Sequence, residues 1–259
     1  MAAVSLRISF PSLALLRPVE IIASLPPAYS KQKPPYKTVW LLHCAMEDAS
    51  LFFNSLDVEA LVEKHRVAVI APSLGNGYFI NSHYERQADF LDEMKKAIPE
   101  ILPLSQRRED NSVAGISMGA FGALRWALAS GVFQGAAAIS GVFDCHIPLD
   151  ERVKKDRALK ALHLMFEKTM RNRLLDADSH ARPEADLALL MAKSAANLPN
   201  MIFHCGTEDY LSLPHTHGLE KIASETGAKT ALHLKPGGHD RQFWRAALAE
   251  TFTGLLSEQ

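Results

Sequence analysis

Residues 111–130 read NSVAGISMGAFGALRWALAS: a short apolar run, the pentapeptide Gly115-Ile116-Ser117-Met118-Gly119, then an apolar helical pattern. Gly-x-Ser-x-Gly between a strand and a helix is the order of a nucleophile elbow, in which a serine sits on a strained strand-to-helix turn. Small flanking residues let the backbone fold back sharply, and Ala120 and Gly122 keep the first helical turn slim. The helix that follows aims free N–H groups and the positive end of its dipole at charge developing near Ser117. The stretch predicts a buried strand, a sharp turn and a buried helix. Ser117 is the candidate nucleophile.

Working outward, the same alternation recurs. Residues 38–42, TVWLL, are continuously apolar, as expected of a strand covered on both faces. A helix is expected over 57–66 with Ser55 as its cap, then a buried strand over 67–71. The loop 73–82 is rich in turn formers, and helix is expected from about Tyr84 to Ile98. After the elbow comes a strand over 135–140; later strands are expected at 201–204 and 231–234, with helices over 215–226 and at the C-terminus. Before all of these, residues 4–10 and 19–25 suggest an antiparallel pair at the sheet's edge, joined to the rest through a proline-rich loop over 26–36. Strand-helix alternation implies an α/β architecture with a mostly parallel sheet and helices on both faces. The rhythm lapses at about 144–199, where helices are expected over 157–173 and 184–196 and no strand is convincing. That segment reads as a helical lid inserted into one domain spanning 1–259. Residues 151–173 carry eight Lys/Arg against three Asp/Glu, which reads as a solvated cap rather than a proven anion site.

The bulk numbers narrow the function classes. At 259 residues, 47% hydrophobic and 22% charged, the chain has ample material for a core. A formal net charge of −1 gives no global field to recruit nucleic acid or an anionic membrane. No apolar run reaches the roughly 18 residues of a membrane span. The N-terminal stretch has an arginine and prolines breaking its apolar runs and reads as strand rather than signal peptide. Cys44, Cys145 and Cys205 are odd in number and scattered, against a disulfide framework and a zinc site. A cytoplasmic enzyme is the expectation, with a homo-oligomer compatible but not specified.

In an open α/β sheet, ligands gather at the carboxyl ends of the strands. The polar residues just after predicted strands are His43, Ser73, Ser117, Asp144, Asp209 and His239. A serine nucleophile needs a base, and the base needs an acid to hold its tautomer. His239 is the best of eleven histidines, because Gly237-Gly238 ahead of it lets an imidazole reach across the strand ends. For the acid, Asp209 follows a strong strand and a turn glycine; Glu208 and Asp144 are the alternatives. His43 reads as structural. His215 and His217 have an i, i+2 spacing suited to metal but no third ligand, so no metal is expected. Gly75-Asn76-Gly77 lacks the third glycine and helix start of a nucleotide loop.

Together these parts resemble the esterase D branch of the α/β-hydrolases, near the tributyrin or acetyl esterases, with S-formylglutathione hydrolase and feruloyl esterases further out. The resemblance rests on Leu41-Leu42-His43, the Tyr78 loop, residues 115–123, Cys205-Gly206 followed by Asp209, and Gly238-His239 with Phe243-Trp244. It implies an α/β-hydrolase fold, hydrolysis of a small-molecule ester of a short acyl group without cofactor, and a Ser117–Asp209–His239 triad. It also implies an oxyanion hole from the Met118 and Ala45 backbone N–H groups, and a substrate pocket touching Tyr78, Tyr210 and Trp244. Rival readings are a thioester hydrolase, an acyltransferase and a non-catalytic binding domain. The chain departs from the family at Cys44, where glycine is usual, and at Glu47-Asp48, where the family has a further glycine. A side chain at Cys44 would reshape the oxyanion loop. Asp209-Tyr210 replaces the usual aspartate–phenylalanine, a mild change.

Overall fold

A computed structural model describes residues 2–27, 34–83, 85–144, 147–173 and 183–257. Its frame is one sheet of eight strands in the order β1-β2-β4-β3-β5-β6-β7-β8. β1 (Val4–Ser12) and β2 (Arg17–Leu25) pair antiparallel, and β2 runs antiparallel to β4 (Ala68–Pro72). From β4 through β3 (Thr38–Leu42), β5 (Asn111–Ile116), β6 (Gly135–Ile139), β7 (Asn200–Gly206) and β8 (Thr230–Lys235), every pairing is parallel. The expected edge hairpin and parallel centre are both present.

Every residue of β3, β4, β5 and β6 is buried, because helices cover both faces. Alternation along each strand sorts side chains between two apolar layers. Trp40, Leu42 and Val113 face one layer; Val39, Leu41, Ala114 and Ile116 face the other. On the first side lie α3 (Gln87–Ile101), α4 (Met118–Ser130), α7 (Leu187–Lys193) and α8 (Leu213–Glu225). On the second lie α1 (Ser50–Ser55), α2 (Val58–His65) and α9 (Arg241–Leu256). Trp244, Leu248 and Phe252 of α9 are buried as its expected stripe requires. Helix α4 is apolar nearly all round and buried from Met118 through Leu128. That is the signature of a helix sunk in the core.

Differences from the sequence reading are local. Ser55 is not the cap of the second helix: it closes α1, a helix the sequence pattern did not announce, and left-handed Asp57 stands at the N-cap of α2. Helix α3 begins at Gln87; Tyr84, the expected start, lies outside the described residues, as does Cys145. In the lapse between β6 and β7, the described residues hold α5 (Glu151–Lys155), α6 (Arg157–Arg173) and α7, and no strand. Among the described residues no helix is long and apolar enough to cross a membrane.

Candidate active site

The parallel strands all end on the same side of the sheet, and the backbone there is under strain. Ser117 sits at φ 52°, ψ −112°, and Met46, Tyr78, Phe79 and Ser140, all following strand ends, also have positive φ. Such conformations cost on the order of 1–3 kcal/mol each and persist only where the surroundings impose them. At Ser117 the imposition is visible. A Cβ on Gly115 would lie 1.9 Å from the Gly119 carbonyl oxygen, and one on Gly119 would lie 2.0 Å from that of Leu42. The turn therefore closes on itself and presses the start of α4 against the end of β3. Glycine is required at both places.

This bend puts the Ser117 hydroxyl 3.1 Å from His239 Nε2, across 122 residues of chain. His239 Nδ1–H donates to Asp209 Oδ2 at 2.9 Å. Asp209 is fully buried, and its Oδ1 accepts the Ser212 N–H at 3.0 Å. Burial pushes its carboxyl upward, but the opposing charge and hydrogen bonds of His239, with the Ser212 N–H, hold it below the usual carboxylate range. The acid is thus kept ionised while the ring it orients presents a bare Nε2 to the serine. His239 itself is steadied by the Trp244 ring, packed edge-on at 5.2 Å. A buried acid, an oriented imidazole and a hydroxyl in sequence are the arrangement that a proton relay requires.

The loop after β3 is equally constrained. His43 is fully buried; its Nδ1–H donates to the Cys44 carbonyl at 2.8 Å and its Nε2 accepts the Leu74 N–H at 3.0 Å. Both ring nitrogens are used, and burial holds its pKa below the ordinary value, so it shapes the loop as expected rather than exchanging protons. The Met46 N–H donates to Asn76. The Ala45 and Met118 N–H groups donate to no backbone carbonyl among the described residues. Cys44 is buried and its thiol is pushed up to about 12 by burial and by Glu47, so it stays protonated and is no rival nucleophile. Glu47 pairs with Arg241, two residues beyond His239, and ties the loop after β3 to the loop carrying the base.

The aromatic candidates divide. Tyr78 is buried in a chain of rings, 5.9 Å from Phe121 and 5.5 Å from Phe166, with His215 a further 6.0 Å beyond Phe166. Tyr210 is half-buried at the rim, its ring stacked under the Arg152 guanidinium at 3.6 Å. Trp244 belongs to the apolar layer behind His239. His215 is no open metal ligand: its Nδ1 accepts the N–H groups of Phe143 and Asp144. Among the described residues, no group of three or more His, Cys, Asp or Glu is arranged to hold a metal ion. Asp144 and Glu208, the alternative acids, make no bond to His239 among those described; Glu208 instead accepts the Gly237 N–H. Sequence reasoning missed Ser212 and Gln87. The Gln87 side chain accepts the Phe79 N–H and donates to the Gly75 carbonyl, bracing the Tyr78 loop from inside. Neither carried a sequence signal, since each acts through contacts made only after folding.

Comparison with known proteins bears on the family and the fold. The family model described as "Putative esterase" matches residues 12–255. An acetyl esterase of Caldicellulosiruptor saccharolyticus is 26% identical over 265 residues, covering 95% of this chain and 96% of that protein. Among solved structures, the fluorophosphonate-binding serine hydrolase FphF of Staphylococcus aureus superposes with a TM-score of 0.81 at 23% identity, covering 99% of both chains. S-formylglutathione hydrolase (FrmB) of Staphylococcus aureus does so with 0.77 at 24% identity and the same coverage. At those identities the solved structures establish the fold.

Proposed function

The chain belongs to the esterase family whose model matches residues 12–255, and on that premise we propose that it is a serine hydrolase of short-chain acyl esters working through an acyl-enzyme. The observation that carries the reading is the relay from Ser117 Oγ through His239 to ionised Asp209. His239 Nε2 takes the Ser117 proton as Oγ attacks the ester carbonyl. The tetrahedral oxyanion is held by the Met118 and Ala45 N–H groups, worth about a hundred- to a thousandfold in rate for each donor. His239 then returns the proton to the leaving alcohol as the C–O bond breaks. Water enters, loses a proton to the same nitrogen, and releases the acid and free serine. No cofactor takes part.

We take the ring cluster of Phe121, Tyr78 and Phe166, with Phe166 brought by α6, as the wall that limits the acyl group. In this reading, α5, α6 and α7 act as a cap over the strand ends, and the stack of Arg152 on Tyr210 fastens the cap to the loop of the acid. Likeness to the acetyl esterase of Caldicellulosiruptor saccharolyticus points the same way. The buried thiols Cys44 and Cys205 suit a reducing cytoplasm. The test is turnover of p-nitrophenyl esters from acetate to octanoate. Efficiency should peak at acetate or butyrate and fall with longer chains, and a maximum at octanoate refutes the short-acyl reading. A second reading, thioester hydrolysis, draws on the likeness to S-formylglutathione hydrolase. Assay of S-formylglutathione beside the oxygen esters separates the two.

A further inference from the structure

Ser212 stands at the N-cap of α8, where serine ordinarily turns its hydroxyl back onto a helix N–H and stabilises the helix. Here it makes no such bond. The fully buried hydroxyl instead donates to the Ser140 carbonyl at 2.9 Å and lies 3.1 Å from His239 Nδ1. A hydroxyl has one proton and two acceptor lone pairs. The Ser140 carbonyl accepts only, so the Ser212 proton is committed to it, and the oxygen can meet His239 only as an acceptor of Nδ1–H. That proton therefore sits between two acceptors, Asp209 Oδ2 at 2.9 Å and Ser212 Oγ at 3.1 Å. Ser140 is itself held at φ 49°. The Ser212 backbone N–H meanwhile grips the other oxygen of Asp209.

We propose that Ser212 is a positioning residue for the base: a second holder of the Nδ1 proton, which keeps His239 in the tautomer and orientation that leave Nε2 free even when Asp209 is absent. The inference rests on the reading of Ser117, His239 and Asp209 as nucleophile, base and acid. It differs from a packing role in one respect. A serine that merely fills space should lower activity by the same factor whether or not Asp209 is present, whereas a second acceptor matters most when the first has gone.

The experiment is a double-mutant cycle with Asp209→Ala and Ser212→Ala, reading kcat and KM on p-nitrophenyl acetate. With Asp209 in place, losing one neutral hydrogen bond should lower kcat about fivefold with KM unchanged. In the Asp209→Ala background the same change should lower kcat on the order of a hundredfold, because the imidazole loses its last Nδ1 partner and with it the working tautomer. Nitrogen-15 spectra of labelled histidine give the independent readout. Asp209→Ala should retain a protonated Nδ1 on His239, and the double variant should shift the proton toward Nε2. Equal factors in the two backgrounds, or the same tautomer with and without Ser212, overturn the proposal. Should Ser212→Ala not fold, Ser212→Cys keeps the volume close and replaces a good acceptor with a poor one. A larger loss of kcat from Ser212→Cys in the Asp209→Ala background than with Asp209 present supports the proposal, and the same factor in both backgrounds overturns it. Failure of the underlying reading looks different: Asp209→Ala or Ser117→Ala would then leave the rate unchanged.

Discussion

Replacing Gly206 with alanine should disable the base from a distance. Gly206 ends β7 opposite Lys235 of β8, and a Cβ there would lie 2.1 Å from the Gly237 carbonyl oxygen, against the 3.4 Å at which ordinary contact begins. The loop of Pro236, Gly237, Gly238 and His239 must therefore move by about 1.3 Å. It cannot simply turn that carbonyl aside, because the Glu208 N–H donates to it at 3.0 Å while Glu208 also accepts the Gly237 N–H. His239 follows two residues on, and a shift of this size opens its 3.1 Å contact with Ser117 beyond hydrogen-bonding range. A 1 Å misplacement of a reacting group is enough to lose on the order of a hundredfold in rate. Overpacking should also lower stability by roughly 1–3 kcal/mol. The assay is steady-state hydrolysis of p-nitrophenyl acetate, with thermal unfolding to confirm that the variant is folded. The expected result is kcat down about a hundredfold with KM within about twofold, as for a defect in the chemical step rather than in binding. A folded Gly206→Ala protein with wild-type kcat refutes the reasoning.

Three further expectations follow from other parts of the molecule. Truncating Phe166 to alanine removes the ring between Tyr78 and His215, so the octanoate-to-acetate ratio of kcat/KM should rise about tenfold; an unchanged ratio means that Phe166 does not bound the acyl site. His204 and His215 are both held down to about 4 by burial, from 6.5 when unfolded. Each binds its proton more readily in the unfolded chain, so their contribution to stability is complete above pH 6.5 and is lost as the pH falls toward 4. Urea unfolding across that window should show a dependence approaching 1.4 kcal/mol per pH unit for each histidine, and His204→Phe should remove one share of it; an unaltered slope excludes His204. Gly119→Ala would set a Cβ 2.0 Å from the Leu42 carbonyl and force α4 off the end of β3. Activity should fall at least a hundredfold, and a folded variant with full activity argues against the oxyanion assignment.

Sequence alone carried much of the architecture, for identifiable reasons. β3 is apolar throughout because it is covered on both faces, and the run Val39-Trp40-Leu41-Leu42 announces this without help from the rest of the chain. The elbow was equally clear, since its glycines stand where a Cβ would strike backbone. The relay from Ser117 to His239 was readable as an order of residues at strand ends, although nothing local could say that they meet at 3.1 Å. Helix α1 was missed because its six residues are too few for periodicity to register. Ser55 looked like a cap because serine often is one, but the chain turns at Asp57 in a left-handed conformation instead. Glu47 and Asp48, a departure from the family when read in sequence, are accounted for by contacts. Glu47 meets Arg241, and Asp48 accepts the Ser50 N–H at the start of α1. The contacts of Gln87 with Phe79 and Gly75, and of the Ser212 hydroxyl with His239 and Ser140, reach 8 to 72 residues along the chain. No local pattern encodes those.

The central claim is that the strained turn after β5 delivers an activated serine to His239, and a fluorophosphonate probe tests it most directly. Incubation followed by intact-mass and peptide analysis should place a single covalent adduct on Ser117, absent from Ser117→Ala. Labelling should slow by orders of magnitude in His239→Ala, because an unassisted hydroxyl is a weak nucleophile. An adduct elsewhere, or labelling of Ser117 at an undiminished rate without His239, would contradict the account.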